Sequence, residues 1–333
     1  MEPEKLKSEL SSVCVILFTP FDDKDEIDED GYRRNISYLI ERSKGHTEKL
    51  IFVAGGSLGE FYALTEDELK KIIKIAVDEV GSKAIVIAGT AHSGTKPCLK
   101  MSQYAEDVGA DGVLIVLPYY HIPSWEGMYQ HYKTIADGLD IGVIVYNNPD
   151  TTKAYINPEL MPRIVDLPNV IGIKENSTNL ATIREMMKLD HEGKARVIGG
   201  KGEFLYAACI PFGMSGFVSS YANFYPEFSL DLLKAGKIGD VKTAWRLVEQ
   251  KFMPLQDFVD EVTKKRKSIS SAPQLTSLYA YLAVRKAVMP LIGLSGSGKT
   301  RLPIIPITEE EKEKLKHVIE TMGLSPIAST NRH

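Results

Sequence analysis

Lys174 ends a short apolar run, Val170-Ile171-Gly172-Ile173-Lys174-Glu175-Asn176. The run has the length and composition of a buried strand, and the end of such a strand is a costly place for an ammonium group. Desolvation lowers an amine's pKa, and a neutral amine is a nucleophile that condenses with a ketone to form a Schiff base. A second run of the same shape, Gly142-Val143-Ile144-Val145-Tyr146-Asn147-Asn148, ends in a phenol. Strand side chains alternate, so Gly172 and Lys174 share one face of their strand, as Ile144 and Tyr146 do of theirs. An amine nucleophile and a phenol proton carrier at the same ends of two strands are parts of an enzyme. Taken singly, Lys174 reads as a lysine meeting water and Tyr146 as a packing residue. The elements that carry them decide between these readings.

Eight apolar runs recur, at 13–18, 50–54, 84–88, 112–117, 142–146, 170–174, 196–198 and 216–219. Their spacing is roughly 30 residues, the size of one βα unit. Helical signals lie between them. Thr65-Glu66-Asp67-Glu68 is a capping box ahead of the stripe Leu69, Ile72, Ile73, Ala76, Val77 and Val80. Asn157-Pro158 offers an N-cap and a first-position proline. Cys98, Met101, Tyr104, Ala105 and Val108 form a further stripe. The pattern predicts an α/β fold, a (β/α)8 TIM barrel, over an open doubly wound sheet, because no Gly-rich dinucleotide fingerprint follows the first run. In a barrel, chemistry sits at the C-terminal strand ends, where Lys174 and Tyr146 fall on adjacent strands. Beyond Tyr221 the pattern is helical only, near 227–236, 238–263, 273–289 and 309–322. The expected division is a barrel over residues 1–225 carrying the active site and a C-terminal helical domain over 226–333.

The chain has 333 residues, 44% hydrophobic and 25% charged, with a net charge of −4. Nothing in that balance points to nucleic acid or an anionic membrane surface. No apolar stretch approaches the ~20 residues of a membrane span, and the N-terminus Met1-Glu2-Pro3-Glu4-Lys5 has no signal core, so a cytoplasmic location is expected. Cys14, Cys98 and Cys209 lack metal-ligand spacing and read as reduced, buried fillers.

The second run leads into Gly55-Gly56-Ser57-Leu58-Gly59-Glu60, a turn whose backbone can approach an anion, with a hydroxyl at Ser57. The fourth ends in Pro118-Tyr119-Tyr120-His121. Together with Tyr146-Asn147-Asn148-Pro149, Gly172-Ile173-Lys174-Glu175, the segment 213–219 and Arg301-Leu302-Pro303, these resemble the dihydrodipicolinate synthase/N-acetylneuraminate lyase family of pyruvate-type class I lyases. The resemblance covers nearly the whole chain. It implies a barrel with a C-terminal helical domain, assembled as a homotetramer, a dimer of dimers. It implies Lys174 as the Schiff-base lysine, Tyr146 as proton carrier, Ser57 in the proton relay and carboxylate pocket, and Tyr120 reaching a neighbouring subunit's site. Gly56, Leu58, Gly59, His121, Thr151 and Val218 are the expected substrate-binding residues. No cofactor and no metal are expected, since the lysine supplies the electron sink.

Three positions depart from that pattern. Leu58 stands where the family usually has a second hydroxyl residue, and His121 where the synthases commonly carry asparagine. Thr151 occupies the place of the arginine that holds the aldehyde substrate's carboxylate in dihydrodipicolinate synthases, and no arginine lies between Tyr146 and Asn157. The expected function is therefore a Schiff-base-forming lyase, aldolase or dehydratase, acting on pyruvate or a sugar-derived 2-keto acid. Dihydrodipicolinate synthase itself is the alternative within the family. From another class comes a P-loop nucleotide-binding protein, because Gly293-Leu294-Ser295-Gly296-Ser297-Gly298-Lys299-Thr300 satisfies G-x-x-x-x-G-K-[ST]. Pro303 and Pro306 would break the helix that motif requires, so the segment is read as a flexible Gly/Ser connection. The basic run Lys264-Lys265-Arg266-Lys267, followed by polar 268–271, is read as a solvated helix end.

Overall fold

Near-continuous apolar character over three to six residues is what a parallel strand needs when both faces are covered. The computed structural model, which describes residues 1–266 and 278–327, shows eight such strands. They are β1 (Val13–Ile16), β2 (Leu50–Ala54), β3 (Ile85–Gly89), β4 (Gly112–Val116), β5 (Gly142–Asn147), β6 (Val170–Glu175), β7 (Arg196–Gly199) and β8 (Phe217–Ser219). Each pairs in parallel with the next in sequence, and β1 pairs with β8 to close the barrel. The register places Tyr146 beside Lys174 across β5 and β6, and Val116 beside Tyr146 across β4 and β5.

The floor of the barrel is built by subtraction. Gly112, Gly142 and Gly172 lie in the early parts of three neighbouring strands, and a methyl group on any of them would meet leucine. An added Cβ would lie 2.5 Å from Leu6 Cδ2 at Gly112 and 2.6 Å from Leu10 Cδ1 at Gly172. Leu6 and Leu10, on and just after the N-terminal helix Pro3–Glu9, are fully buried there. The short helix thus stoppers the barrel end opposite Lys174.

Local signals place the outer helices. Thr65 caps Glu66–Val80 reciprocally with Glu68: the Glu68 amide donates to Thr65 Oγ1 (3.2 Å) and the Thr65 amide to Glu68 Oε2 (2.8 Å). The N-cap expected at Asn157 instead makes a turn, its Oδ1 accepting the Glu159 and Leu160 amides, and the helix starts at Met161. After β8 the helix Pro226–Lys237 packs against β1 and the helix Glu29–Arg42, as the eighth outer helix. The expected helix 238–263 is Val241–Leu247 joined to Met253–Lys265 through one widened turn, just ahead of Pro254, which lacks the amide to continue the ladder. The helices Leu278–Leu291 and Glu309–Thr321 complete the described tail. Of the expected helix 273–289, residues 273–277 lie outside the described residues, as do Lys267 and 268–271; Lys264 and Lys265 form the expected helix end. Among the described residues, no helix is long and apolar enough to cross a membrane.

Leu10→Ala should destabilise the fold by about 2–5 kcal/mol, because Leu10 fills the space over Gly172 and its removal leaves a cavity there. Urea unfolding checks this; a change below about 1 kcal/mol would show that the stopper contributes little.

Candidate active site

The C-terminal ends of the strands open into a cavity of about 660 Å³. Strand alternation turns Lys174 inward at the end of β6, and its side chain is 3% exposed. The amine nitrogen lies 3.6 Å from the centroid of the Tyr146 ring. An aromatic face favours the charged form, but burial outweighs it and pulls the Lys174 pKa down to about 7, with a smaller opposing effect from Cys14. At neutral pH about half of such a group is free amine, roughly a thousandfold more than for a lysine in water. Cys14 on β1 is itself buried, and burial raises its thiol pKa to about 12, so it stays protonated.

The Tyr146 phenol is held by Asn148, whose Nδ2 donates to the phenol oxygen at 2.9 Å and to Thr151 Oγ1 at 2.7 Å. Asn176 Nδ2 donates to Asn148 Oδ1 at 2.8 Å, which fixes the carboxamide's orientation. With the phenol oxygen accepting from Asn148, its own hydrogen is left for the cavity. Burial pushes the phenol pKa up, Tyr281 and Asp150 add to it, and hydrogen bonding by Ser57 and Asn148 opposes it. The group is a proton donor at neutral pH. Behind it, Glu175 secures the strand end, accepting from Asn147 Nδ2 (3.1 Å), Tyr155 OH (3.2 Å) and the Ser177 amide (2.7 Å).

Ser57 and Leu58 sit on a single tight turn whose exit is fixed by Glu60. Glu60 adopts φ 59°, is fully buried, and pairs with Lys286 of the helix Leu278–Leu291. Its other oxygen accepts the Arg301 amide at 2.8 Å. Among the described residues, no acceptor takes the Ser57 or Leu58 amide.

The cavity thus gathers Lys174, Tyr146, Ser57, Leu58, Thr151 and Val218. It leaves out four expected residues. Gly56 and Gly59 are packed behind the turn, where a Cβ would meet Ile16 Cγ2 at 2.7 Å and the Leu17 carbonyl at 2.9 Å. Tyr120 is 74% exposed and stands edge-on to the exposed His121. β4 ends at Val116, so strand alternation no longer governs these side chains, and it is Tyr119 that faces the cavity. Sequence reasoning missed Asn176, Lys153, Lys201, Tyr281 and Arg285, all on the cavity wall. The signal for the last two was present: Tyr281, Arg285 and Lys286 interrupt an otherwise apolar helix. Among the described residues, no cluster of three or more His, Cys, Asp or Glu is arranged to hold a metal ion.

The phosphate-loop pattern at 293–300 follows the helix Leu278–Leu291 and precedes no helix until Glu309. It is also not the flexible connection expected. The Ser295 amide donates to Asn35 Oδ1 (2.9 Å), Asn35 Nδ2 donates to the Ser295 carbonyl (3.1 Å), and the Ser297 amide donates to the Phe21 carbonyl (2.9 Å). Lys299 Nζ, the phosphate-binding lysine of a true loop, pairs with Asp23 at 3.0 Å.

Lys174 should react with acetic anhydride along a titration centred near pH 7, because only the free amine is acylated and its pKa is lowered to about 7. Peptide mapping at a series of pH values reads this; a profile rising only near pH 10, like that of surface lysines, would contradict the desolvated site.

A profile of the dihydrodipicolinate synthetase family matches residues 9–322. The chain is 34% identical over 310 residues to the 4-hydroxy-tetrahydrodipicolinate synthase of Syntrophus aciditrophicus, covering 93% of this chain and 97% of that one. Its fold is similar to the crystal structure of dihydrodipicolinate synthase from Thermotoga maritima, with a TM-score of 0.79 and 30% identity over 94% of this chain and 98% of the other. The dihydrodipicolinate synthase from Acinetobacter baumannii, a structure in complex with pyruvate, gives 0.79 at 26% identity, over 95% and 99% of the two chains.

Proposed function

Because this chain belongs to the dihydrodipicolinate synthetase family of lyases, we propose that it works as a class I lyase on pyruvate or a sugar-derived 2-keto acid, with Lys174 as the Schiff-base lysine. The observation that carries the reading is the buried Lys174 amine against the Tyr146 ring. The free amine adds to the C2 ketone, and the carbinolamine loses its oxygen as water when Tyr146 supplies a proton. The resulting iminium accepts the electron pair of a neighbouring bond. Cleavage of C3–C4 passes the C4 hydroxyl proton to the Tyr146 phenolate, releases an aldehyde and leaves an enamine that is protonated at C3 and hydrolysed. In dehydration a C3 proton passes to the Tyr146 phenolate and on to the C4 hydroxyl, the enamine expels that oxygen as water, and the conjugated iminium left behind is hydrolysed.

In this reading Tyr146 shuttles the protons, Ser57 relays them, and the free amides of Ser57 and Leu58 take the 2-keto acid's carboxylate. Leu58, Thr151 and Val218 line the substrate, and Gly56 and Gly59 act by letting the turn pack closely. Residues 1–225 carry the chemistry, and of the helical region from 226 onward the helices Met253–Lys265 and Leu278–Leu291 close the far end of the cavity. Tyr120, with Ile122 (63% exposed) and Trp125 (49% exposed) beside it, would enter the site of a second copy in a dimer of dimers, His121 accompanying it. Three unpaired, buried cysteines fit a reducing compartment and a cytoplasmic enzyme.

The second reading is condensation of pyruvate with aspartate semialdehyde, favoured by the activity that the relatives' names carry. Against it stands Thr151, a single hydroxyl where the family resemblance expects arginine's fork. The test is pyruvate release from a panel of hydroxylated 2-keto acids, measured beside the semialdehyde condensation, in the wild type and in Tyr146→Phe. At least one hydroxylated keto acid should exceed the condensation in kcat/KM. Tyr146→Phe should lower kcat by about 10²–10⁴-fold with KM little changed, since the phenol acts in proton transfer. A condensation faster than every keto acid would assign the synthase reaction instead, and near-normal kcat in Tyr146→Phe would reduce that residue to packing.

A further inference from the structure

The far wall of the cavity carries a cation that the reaction at Lys174 does not use. Arg285, on the helix Leu278–Leu291, faces the cavity with its guanidinium fixed from several sides. Nη1 donates to Ser220 Oγ at 2.9 Å and Nη2 to Gln256 Oε1 at 2.8 Å. The guanidinium carbon lies 5.0 Å from the ring centroids of both Tyr221 and Tyr281 and 5.8 Å from that of Phe252. All of these partners are neutral. Guanidinium has five N–H donors, so after these two bonds each Nη keeps one hydrogen. Nε is buried without an acceptor.

Among the described residues, no carboxylate pairs with Arg285. Glu203 lies close enough to feel its charge, but it accepts from Ser229 and Ser219, and burial pushes its carboxyl toward the neutral form. The other charged residues on the wall sharpen the picture. Lys201 is paired with Asp150, whereas Lys153 Nζ reaches only the Tyr119 carbonyl, at 3.5 Å. With Lys174 as free amine, the cavity presents two cations that lack a counter-charge. Its volume also far exceeds what a pyruvyl unit fills.

We propose that Arg285 binds a second carboxylate at the far end of the substrate, so that the enzyme selects 2-keto dicarboxylates. This deepens, and rests on, the reading of Lys174 as the imine-forming residue. One carboxylate of such a dianion lies at the Ser57 turn and the other at Arg285. A rigid, pre-oriented guanidinium suits a planar carboxylate because it accepts two parallel N–H donors at little ordering cost. The family resemblance places a carboxylate-binding arginine at the position of Thr151. Here the arginine comes from the C-terminal helical segment, so it favours a longer substrate reaching a different wall.

The test is protection of Lys174 from acetic anhydride by chain-matched pairs: 2-oxoglutarate with 2-oxopentanoate, 2-oxoadipate with 2-oxohexanoate, 2-oxopimelate with 2-oxoheptanoate. Pyruvate and 2-oxo-4-phosphonobutyrate are run alongside. At least one diacid should half-protect at a concentration about ten- to hundredfold below its monoacid, the worth of one charge-assisted contact. Arg285→Gln should bring that ratio close to one, and Arg285→Lys, which keeps the charge without the fork, should leave an intermediate ratio and serves if the glutamine variant does not fold. A wild-type protein that prefers no diacid, or a ratio that survives in Arg285→Gln, overturns the assignment. A phosphonate that outcompetes every diacid also overturns it, in favour of phosphate-tailed substrates. If pyruvate protects and the diacids gain nothing, Arg285 alone is misassigned. If pyruvate does not protect at all, the Lys174 reading fails and takes this one with it.

Discussion

Everything in this site depends on keeping one lysine out of water. Lys174 is a good nucleophile only because its ammonium form is desolvated, and the fold bears that cost. Its pKa falls from an ordinary 10.5 to about 7. An unfolded chain therefore holds this proton more tightly between those values. Linkage makes the cost to folding on the order of 4–5 kcal/mol at pH 7 and below, fading as pH rises toward 10.5. The architecture that sustains it is the parallel barrel, whose strands pack on both faces. Its lower end is closed by Leu6 and Leu10 where three glycines make room. The aromatic face of Tyr146 packs against the amine, which sets a phenol-bearing ring in contact with it.

The helix Leu278–Leu291 links this chemistry to the rest of the chain through adjacent residues. Lys286 reaches the buried carboxylate of Glu60 and fixes the exit of the Ser57 turn, with its ammonium 3.9 Å from the Phe21 ring centroid. Tyr281 and Arg285, one turn apart, face the cavity. One element therefore sets both the turn that carries Ser57 and the cavity wall that carries Arg285. Removing one partner of a buried ion pair strands a charge, so the Glu60–Lys286 contact ties the placement of Ser57 to the docking of the helical segment on the barrel.

The barrel was legible because parallel strands buried on both faces read as unbroken apolar runs, and all eight fall within two residues of the expected limits. Lys174 and Tyr146 were legible for the same reason: a polar residue closing such a run stands out. Legibility failed where alternation stops. Past Val116 the chain leaves β4, and which of Tyr119 and Tyr120 turns inward is set by the loop. The N-terminal stopper was hidden because two leucines four residues apart, one on a seven-residue helix and one just after it, make too weak a stripe to notice. The early-strand glycines at 112, 142 and 172 were its trace. Asn157 caps a turn where a helix start was expected, since the same carboxamide serves either. Arg285 lies far from Lys174 in sequence, and only the closed fold brings the two to one cavity.

The central claim is that Lys174 forms the imine. Borohydride reduction of the protein in the presence of pyruvate, followed by peptide mapping, tests it most directly. The account predicts one stable adduct, on the peptide that contains Lys174, forming faster from pH 6 to pH 8 as the amine loses its proton. An adduct on any other lysine, or none under conditions that reduce an imine, would contradict it.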